Sequence, residues 1–137
     1  MQTLVCLLAS AADTEVNFEA ALEVNPHTVV ICHTRESGAD AIALQSKIRD
    51  ALGAETQLVP VPAFDLDAIQ DIAEQLFMSL QNRQSVLHYT GGTKPMAIGF
   101  FEEFRGGGCT LLYTDLKSRT LWWRGPEGFY QKPMQVR

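Results

Sequence analysis

The segment Val86–Phe100, VLHYTGGTKPMAIGF, joins a predicted strand to a predicted helix. Its first four residues are apolar or aromatic, as in a buried strand, and its last six suit the start of a helix. Between them lies the junction Thr90–Lys94, which holds two glycines, two hydroxyl side chains and one cation. Flexible and polar residues at such a junction suggest a ligand-binding loop. The remaining sequence indicates the fold in which this loop lies.

Size and composition predict one globular domain. The chain has 137 residues, of which 46% are apolar and 20% charged, and a chain of this length can fold around a single core. Its apolar runs are much shorter than a membrane span, and its start lacks the basic region and cleavage site of a signal peptide. The cysteines Cys6, Cys32 and Cys109 form no C-x-x-C pair, which favours thiols in a reducing cytoplasm over disulfides or a zinc site.

The net charge limits the class of ligand. The formal charge is −5 and the chain has no basic run, so long-range attraction to duplex nucleic acid is not expected. A small anion can still bind where a few cations and backbone amides converge.

Strands alternate with helices along most of the chain. The predicted strands are Thr3–Ala9, Thr28–Cys32, Gln57–Val61, Ser85–Tyr89, Thr110–Thr114 and Thr120–Arg124. Four helices are predicted between these strands. The first ends near Glu23, the second begins at HTRES and ends before Gly53, the third begins after Asp65, and the fourth runs from Pro95 to Phe104. This order predicts a Rossmann-like α/β domain over residues 1–124, with a mostly parallel sheet of about six strands, helices on both faces and a C-terminal antiparallel hairpin.

The C-terminal region carries two further features. Trp122 and Trp123 point to opposite faces if they lie in a strand, so one of them can be exposed. The pair is expected to pack in the core and at an edge, and the alternative is an exposed indole on a dimer surface. Residues Gly125–Arg137 show little pattern and are expected to form a tail that packs on an edge of the sheet or on a partner.

The polar residues gather at the ends of the strands. In open parallel sheets, ligands bind beyond the carboxyl ends of the strands, near the point where the strand order reverses. The first strand ends at Ala9-Ser10, the second at His33-Thr34-Arg35 and the fourth at Tyr89–Lys94. We therefore expect a binding cleft at this edge.

The junction Thr90–Lys94 has the composition of a phosphate cradle. Glycines allow the backbone to approach a ligand closely, and unpaired amides at a helix N-terminus attract anions. Thr90 and Thr93 add hydroxyl donors and Lys94 adds a positive charge. The junction matches neither the P-loop nor the dinucleotide fingerprint, and the alternative is a glycine-rich turn with a solvated lysine.

Four other polar residues at these strand ends allow two interpretations. Arg35 either binds a phosphate or is a surface cation. His33 and His88 are expected to be half-buried strand residues rather than a proton-transfer pair, and no His, Cys or Asp cluster indicates a metal site. Ser10 has no triad partners, so its expected use is as a hydroxyl donor to a phosphate or a ribose.

Two segments resemble the CRISPR-associated Rossmann fold domains, called CARF. The specific part is T-G-G-T-K-x-M at Thr90–Met96, and the looser part is the polar loop SAADTEVN at residues 10–17. The resemblance implies a cytoplasmic homodimer that acts in antiviral defence. It implies binding of cyclic oligoadenylate, a second messenger made by type III CRISPR complexes, in a cleft across the dimer axis.

The resemblance also implies a set of site residues, without a metal or other cofactor. Lys94 and Ser10 would be catalytic, with the Gly91 and Gly92 amides helping to stabilise the transition state. The ligand-binding residues would be Thr14, Asn17, Thr34, Arg35, Thr90, Gly91, Gly92, Thr93 and Met96.

Most CARF proteins carry a second, effector domain, whereas here the α/β domain occupies nearly the whole sequence. The chain therefore resembles stand-alone ring nucleases, in which a ribose 2′-OH attacks the neighbouring phosphate and leaves a 2′,3′-cyclic phosphate. Cyclic tetra-adenylate is the expected ligand, and turnover is expected to be slow because no general base is evident. The alternatives are a non-catalytic sensor or sponge, and an unrelated Rossmann-like domain that binds a mononucleotide or sugar phosphate.

Overall fold

A computed structural model describes residues 2–81 and 83–135. Within these residues the chain forms one sheet of seven strands and four α-helices. The strands are β1 Gln2–Leu8, β2 Thr28–His33, β3 Glu55–Pro60, β4 Gln84–His88, β5 Thr110–Asp115, β6 Thr120–Gly125 and β7 Gly128–Pro133. The helices are α1 Ala12–Val24, α2 Gly38–Leu52, α3 Leu66–Ser79 and α4 Lys94–Phe104, and a 3₁₀ turn follows at Arg105–Gly107.

The sheet confirms the predicted Rossmann-like α/β fold. Its strand order is β3-β2-β1-β4-β5-β6-β7. The first five strands are parallel, whereas β6 and β7 are antiparallel to their neighbours. At the centre, Val5 of β1 lies between Val30 of β2 and Leu87 of β4. Such central strands are almost continuously apolar because helices cover both faces of the sheet.

Alternate side chains of β1 enter two separate cores. Leu4, Cys6 and Leu8 pack in a cluster with residues of α1 and α2. Val5 and Leu7 pack in a second cluster with residues of α3 and α4. Because successive side chains of a strand point to opposite faces, this one strand holds both helix layers on the sheet.

Several helix ends follow local signals in the sequence. The side chain of Asp65 accepts a hydrogen bond of 3.2 Å from the Ala68 amide at the start of α3, as expected of an N-cap. Gly53 ends α2 with a φ of +64°, which glycine adopts without steric cost. No helix within the described residues is long and apolar enough to cross a membrane.

The structure differs from the predicted elements at three places. The helix α1 begins at Ala12, so most of the expected loop 10–17 is helical. The helix α2 begins at Gly38 rather than within HTRES, because the Ser37 hydroxyl contacts the Thr34 and Leu8 carbonyls and holds a turn before the helix. The expected tail contains β7, which pairs with β6.

The strand β7 was not predicted from the sequence because most of its residues are exposed. An exposed edge strand has no buried face and therefore no alternating apolar pattern. Residues 136 and 137, the last two of the expected tail, lie outside the described residues.

The order of the strands creates a crevice between β1 and β4. These strands are neighbours, but α1 leads away to β2 on one side and α4 leads to β5 on the other. The helices that follow β1 and β4 therefore lie on opposite faces of the sheet, and the carboxyl edge between them is where ligands bind in folds of this kind.

The centre of the sheet is expected to carry much of the stability. Leu87 has no exposed surface, so Leu87→Ala should lower the free energy of unfolding by about 2–5 kcal/mol through lost burial and a new cavity. Urea denaturation measures this difference. The control Ile42→Ala changes a side chain on α2 that is 57% exposed, and should shift the free energy by no more than about 0.5 kcal/mol.

Candidate functional site

A single carboxylate joins the loops that follow β1 and β4. Oδ2 of Asp13, in the first turn of α1, accepts hydrogen bonds from the amides of Ala9 at 2.7 Å and Ser10 at 3.3 Å. The same oxygen accepts from the Gly92 amide at 3.1 Å. Asp13 therefore fixes the distance between the two loops at the switch point of the sheet.

Asp13 was not among the residues predicted from the sequence. The only available signal was an acidic residue near a helix start, which is common because it complements the helix dipole. Its position changes the interpretation of the cradle, because the Gly92 amide donates to the chain's own carboxylate. In this structure the Gly92 amide therefore binds a carboxylate of the chain itself, in the place where a ligand phosphate was expected.

The two glycines of the loop meet steric demands from β1. A Cβ atom at Gly91 would lie 2.3 Å from the Leu7 carbonyl oxygen, which is closer than side chains approach, and 3.0 Å from Cγ of Asp13. Gly92 has a φ of +85°, in the region that glycine favours. The glycines thus allow the loop to lie directly on the end of β1, where it meets Asp13.

The N-terminus of α4 is capped by its own side chains. The Thr93 hydroxyl accepts a hydrogen bond of 3.2 Å from the Met96 amide and donates to the Ala63 carbonyl. The buried Met96 sulfur lies 3.5 Å from the Thr93 amide. Lys94 begins the helix and is exposed, and it forms no ion pair with the residues that the structure describes.

A buried polar network lies directly beneath this loop. His88 has no exposed surface, and its Nδ1 lies 2.7 Å from Oδ1 of Asn17. Its Nε2 lies 2.8 Å from the Thr114 hydroxyl and 2.9 Å from the Thr90 hydroxyl. The Asn17 amide nitrogen donates to the carbonyls of Leu7 and Asp13, so we assign Oδ1 as the acceptor and Nδ1 of His88 as the protonated nitrogen.

This network keeps the imidazole neutral and positions Thr90. Burial lowers the pKa of His88 to about 3, because a charged ring would lose its hydration. The single lone pair of its Nε2 is then shared by the two hydroxyls, while Thr90 also accepts from the Thr114 amide at 2.8 Å. His88 is therefore a structural residue in this arrangement, and it is more deeply buried than the expected half-buried position.

The predicted site residues fall into two groups by exposure. Three have essentially no exposed surface, namely Asn17, Thr34 and Met96. Asn17 is a buried residue of α1, which begins five residues before it. The Thr34 hydroxyl forms a hydrogen bond of 2.8 Å with the hydroxyl of Ser37. These three side chains support the loops from below and present no surface to a ligand in this structure.

The remaining predicted residues lie on or near the carboxyl edge. Ser10, Arg35 and Lys94 are exposed, Thr14, Thr90, Gly92 and Thr93 are half-buried, and Gly91, within the loop, is buried. The Thr34 amide donates to the Leu8 carbonyl at 3.1 Å, which ties the end of β2 to the end of β1. The edge thus presents one hydroxyl and two cations from three different strand ends.

No metal-binding cluster accompanies these groups. Across residues 2–81 and 83–135, no three His, Cys, Asp or Glu side chains come together in a way that could hold a metal ion. The exposed hydroxyl and cations at this edge can form hydrogen bonds and attract an anion.

Removing the Asp13 carboxylate should loosen both loops. Asp13→Ala leaves three amides without their acceptor, so we expect the free energy of unfolding in urea to fall by about 1–3 kcal/mol. Hydrogen exchange at the Gly92 amide should accelerate about tenfold or more. Glu15→Ala removes an exposed acidic residue from the same helical turn and should change neither value; equal effects of the two variants would contradict the assigned role.

The buried His88 should make stability depend on pH. Its folded pKa of about 3 lies below the ordinary value of 6.5, so only the unfolded chain gains the proton between these values. The stabilisation is complete above about pH 6.5 and is lost as the pH falls towards 3. From pH 7 to pH 5, urea denaturation should show a loss about 2 kcal/mol larger for the wild type than for His88→Gln. Parallel profiles of the two proteins would exclude this role, since both keep the other histidines.

Solved structures share this fold over nearly the whole chain. Can2 from Sulfobacillus thermosulfidooxidans, in complex with cyclic tetra-adenylate, matches 98% of this chain and 37% of its own, with a TM-score of 0.83 and 21% identity. Protein VC1899 from Vibrio cholerae matches 99% and 36%, with a TM-score of 0.85 and 16% identity. A type III CRISPR defence DNA nuclease activated by cyclic oligoadenylate matches 96% and 20%, with a TM-score of 0.78 and 18% identity.

The chain spans less than two fifths of each of these proteins. No protein-family model matches it, and no curated protein matches its sequence. The structural likeness concerns the fold, and it agrees with the resemblance carried by Thr90–Met96. The chain therefore shares the Rossmann-like fold of these proteins.

Proposed function

We propose that this chain binds cyclic oligoadenylate, with cyclic tetra-adenylate as the first candidate, and slowly cleaves it. In this role it ends a type III CRISPR signal. The observation that carries the proposal is the convergence of the loops after β1 and β4, joined through Asp13, beside the exposed Lys94. This arrangement occurs in a fold shared with Can2, which was solved with cyclic tetra-adenylate.

Local charge makes the edge suitable for phosphates despite the acidic chain. Lys94 and Arg35 are exposed cations at the ends of β4 and β2, and Ser10 offers a hydroxyl from the end of β1. A phosphate gains most from cations and donors that are already in place. Because the Gly92 amide is engaged by Asp13, the Lys94 ammonium becomes the principal candidate for holding the phosphate charge.

A homodimer would match the symmetry of the ligand. A ring of four adenylates can place equivalent halves on two identical surfaces that are related by a two-fold axis. Phe64 is 77% exposed beside Ala63, whose carbonyl binds Thr93, and Ile98 is 59% exposed one turn into α4. Exposed apolar side chains of this kind beside the cradle suit contact with a second copy.

The proposed reaction uses an oxygen of the ligand itself as the nucleophile. The ribose 2′-oxygen attacks the neighbouring phosphorus and loses its proton, the bond from phosphorus to the 5′-oxygen breaks, and that oxygen takes up a proton. The products are a 2′,3′-cyclic phosphate and a 5′-hydroxyl. Lys94 would stabilise the charge on the phosphoryl oxygens and Ser10 would position the phosphate or ribose.

The absence of an obvious base favours slow turnover and supports an alternative. His88 is buried and neutral, so it does not reach a bound ribose in this arrangement. The second candidate function is therefore a sensor or sponge that holds cyclic oligoadenylate without cleaving it.

Incubation with cyclic tetra-adenylate in EDTA tests both candidates, with ligand and products followed by chromatography. The wild type should give linear products that end in a 2′,3′-cyclic phosphate, at one ring bound per two chains. Lys94→Ala should lower the rate about 100-fold and weaken binding, because the phosphate loses its charge partner. Lys117→Ala, at an exposed lysine in the turn between β5 and β6, should behave as the wild type.

Each other outcome has a definite meaning. Intact ligand retained by the protein would favour the sensor or sponge. Failure to bind both the tetra-adenylate and the hexa-adenylate ring would refute the proposed function. Unchanged binding and turnover in Lys94→Ala would remove Lys94 from the site.

A further inference from the structure

Four aromatic side chains form an open hollow beside α4. The hollow has a volume of about 370 Å³ and is lined by Tyr89, Tyr113, Trp122 and Phe129. Tyr113 of β5 pairs with Trp122 of β6, and Phe129 of β7 pairs with Arg124 of β6. Because paired residues of adjacent strands share a face, these side chains lie on the α3 and α4 side of the sheet, where the hairpin extends past the helices.

Three of the four rings are exposed, and the fourth, Tyr89, packs on α4. Tyr113, Trp122 and Phe129 are 41%, 36% and 55% exposed. Tyr89 packs edge-to-face on Phe101 of α4, with ring centres 5.1 Å apart. The rings of Tyr89 and Tyr113 contact each other, with a tilt of 36° and centres 5.9 Å apart.

A cation stands at the rim of this hollow. The Arg124 guanidinium lies 5.1 Å from the centre of the Phe129 ring, within the range of a cation–π contact. Burial and the neighbouring Tyr113 raise the pKa of Tyr89, while the Arg124 charge acts in the opposite direction. The Arg124 charge is therefore close enough to influence the Tyr89 hydroxyl.

We propose that the hollow is a second ligand site, which stacks the planar base of a nucleotide and directs its phosphate towards Arg124. Aromatic faces stack on nucleobases of any sequence, and each stacked base contributes about 1–3 kcal/mol. The volume of about 370 Å³ is within the range of small-molecule sites, which combine apolar walls with a few polar groups. A guanidinium at the rim complements a phosphate better than it complements an apolar protein surface.

The position of Tyr89 connects this hollow to the cradle. Tyr89 immediately precedes Thr90, so a base in the hollow lies at the start of the loop that ends with Lys94. The inference goes beyond the proposed function, because any purine or pyrimidine nucleotide satisfies it.

The two adjacent tryptophans allow a direct test. The chain has two tryptophans, and Trp123 packs with the cluster on the opposite face of the sheet. Trp123→Phe leaves Trp122 as the only indole reporter, and Trp122→Phe leaves Trp123. Adenosine 5′-monophosphate should quench the fluorescence of the Trp123→Phe protein with saturation and leave that of the Trp122→Phe protein unchanged. Ribose 5-phosphate, which has no base, should quench neither.

The reporter variant is expected to fold. The Trp123 indole nitrogen is buried and has no hydrogen-bond partner among the described residues, so phenylalanine removes an unsatisfied donor. Saturation-transfer NMR with adenosine 5′-monophosphate and the wild-type chain gives an independent measurement, in which the base protons should receive magnetisation.

A second variant tests whether the rings supply the affinity. In the Trp123→Phe background, Tyr113→Ala should weaken the nucleotide about tenfold or more, as loss of a stacking partner does. Tyr130→Ala is the matched control, because Tyr130 is exposed but pairs with Trp123 on the other face of β7. Equal losses in the two variants would overturn the proposal.

Two further results would overturn it or separate it from the proposed function. If adenosine 5′-monophosphate does not bind and Trp122→Ala converts a dimer to monomers in sedimentation, the hollow is a contact between copies and the proposal is wrong. If this nucleotide quenches Trp122 while cyclic tetra-adenylate does not bind, the hollow is supported and the proposed function fails. If cyclic tetra-adenylate binds through Lys94 while adenosine 5′-monophosphate does not change the fluorescence of Trp122, only the proposal about the hollow fails.

Discussion

The site depends on one carboxylate oxygen that accepts three backbone hydrogen bonds. Oδ2 of Asp13 binds two amides after β1 and one amide after β4, and the loop can reach it only because Gly91 has no side chain. The glycines and the acid are thus complementary parts of one contact. This contact also places a negative charge next to the loop, so the proposed phosphate would have to be attracted by exposed cations farther out.

The His88 network supplies the corresponding constraint from below. It joins α1, β4, β5 and the Thr90 hydroxyl through hydrogen bonds, and each polar side chain in it has a partner. A fully satisfied buried network is rigid, whereas a partly satisfied one is costly. The loop Thr90–Lys94 therefore rests on a fixed base, in which the imidazole is buried and neutral.

The sequence predicted the fold well because its signals are local and repetitive. Buried strands appear as apolar runs, and the apolar stripe of α3 behind Asp65 defines a helix with its cap. The loop Thr90–Lys94 was also predicted, because glycine, proline and hydroxyl residues mark a strand-to-helix junction. Asp13 and the burial of Asn17 were missed, because each depends on a contact with a residue distant in the chain. The strand β7 was missed because pairing along one exposed edge leaves no pattern in the side chains.

The two edges of the sheet bear on how copies of this chain can associate. An open edge strand offers unpaired backbone groups on which a strand from another molecule can be added without limit. Here both edge strands, β3 and β7, have only six residues and end in proline, at Pro60 and Pro133, and proline cannot donate a backbone hydrogen bond. Growth of the sheet from molecule to molecule is therefore disfavoured at both edges.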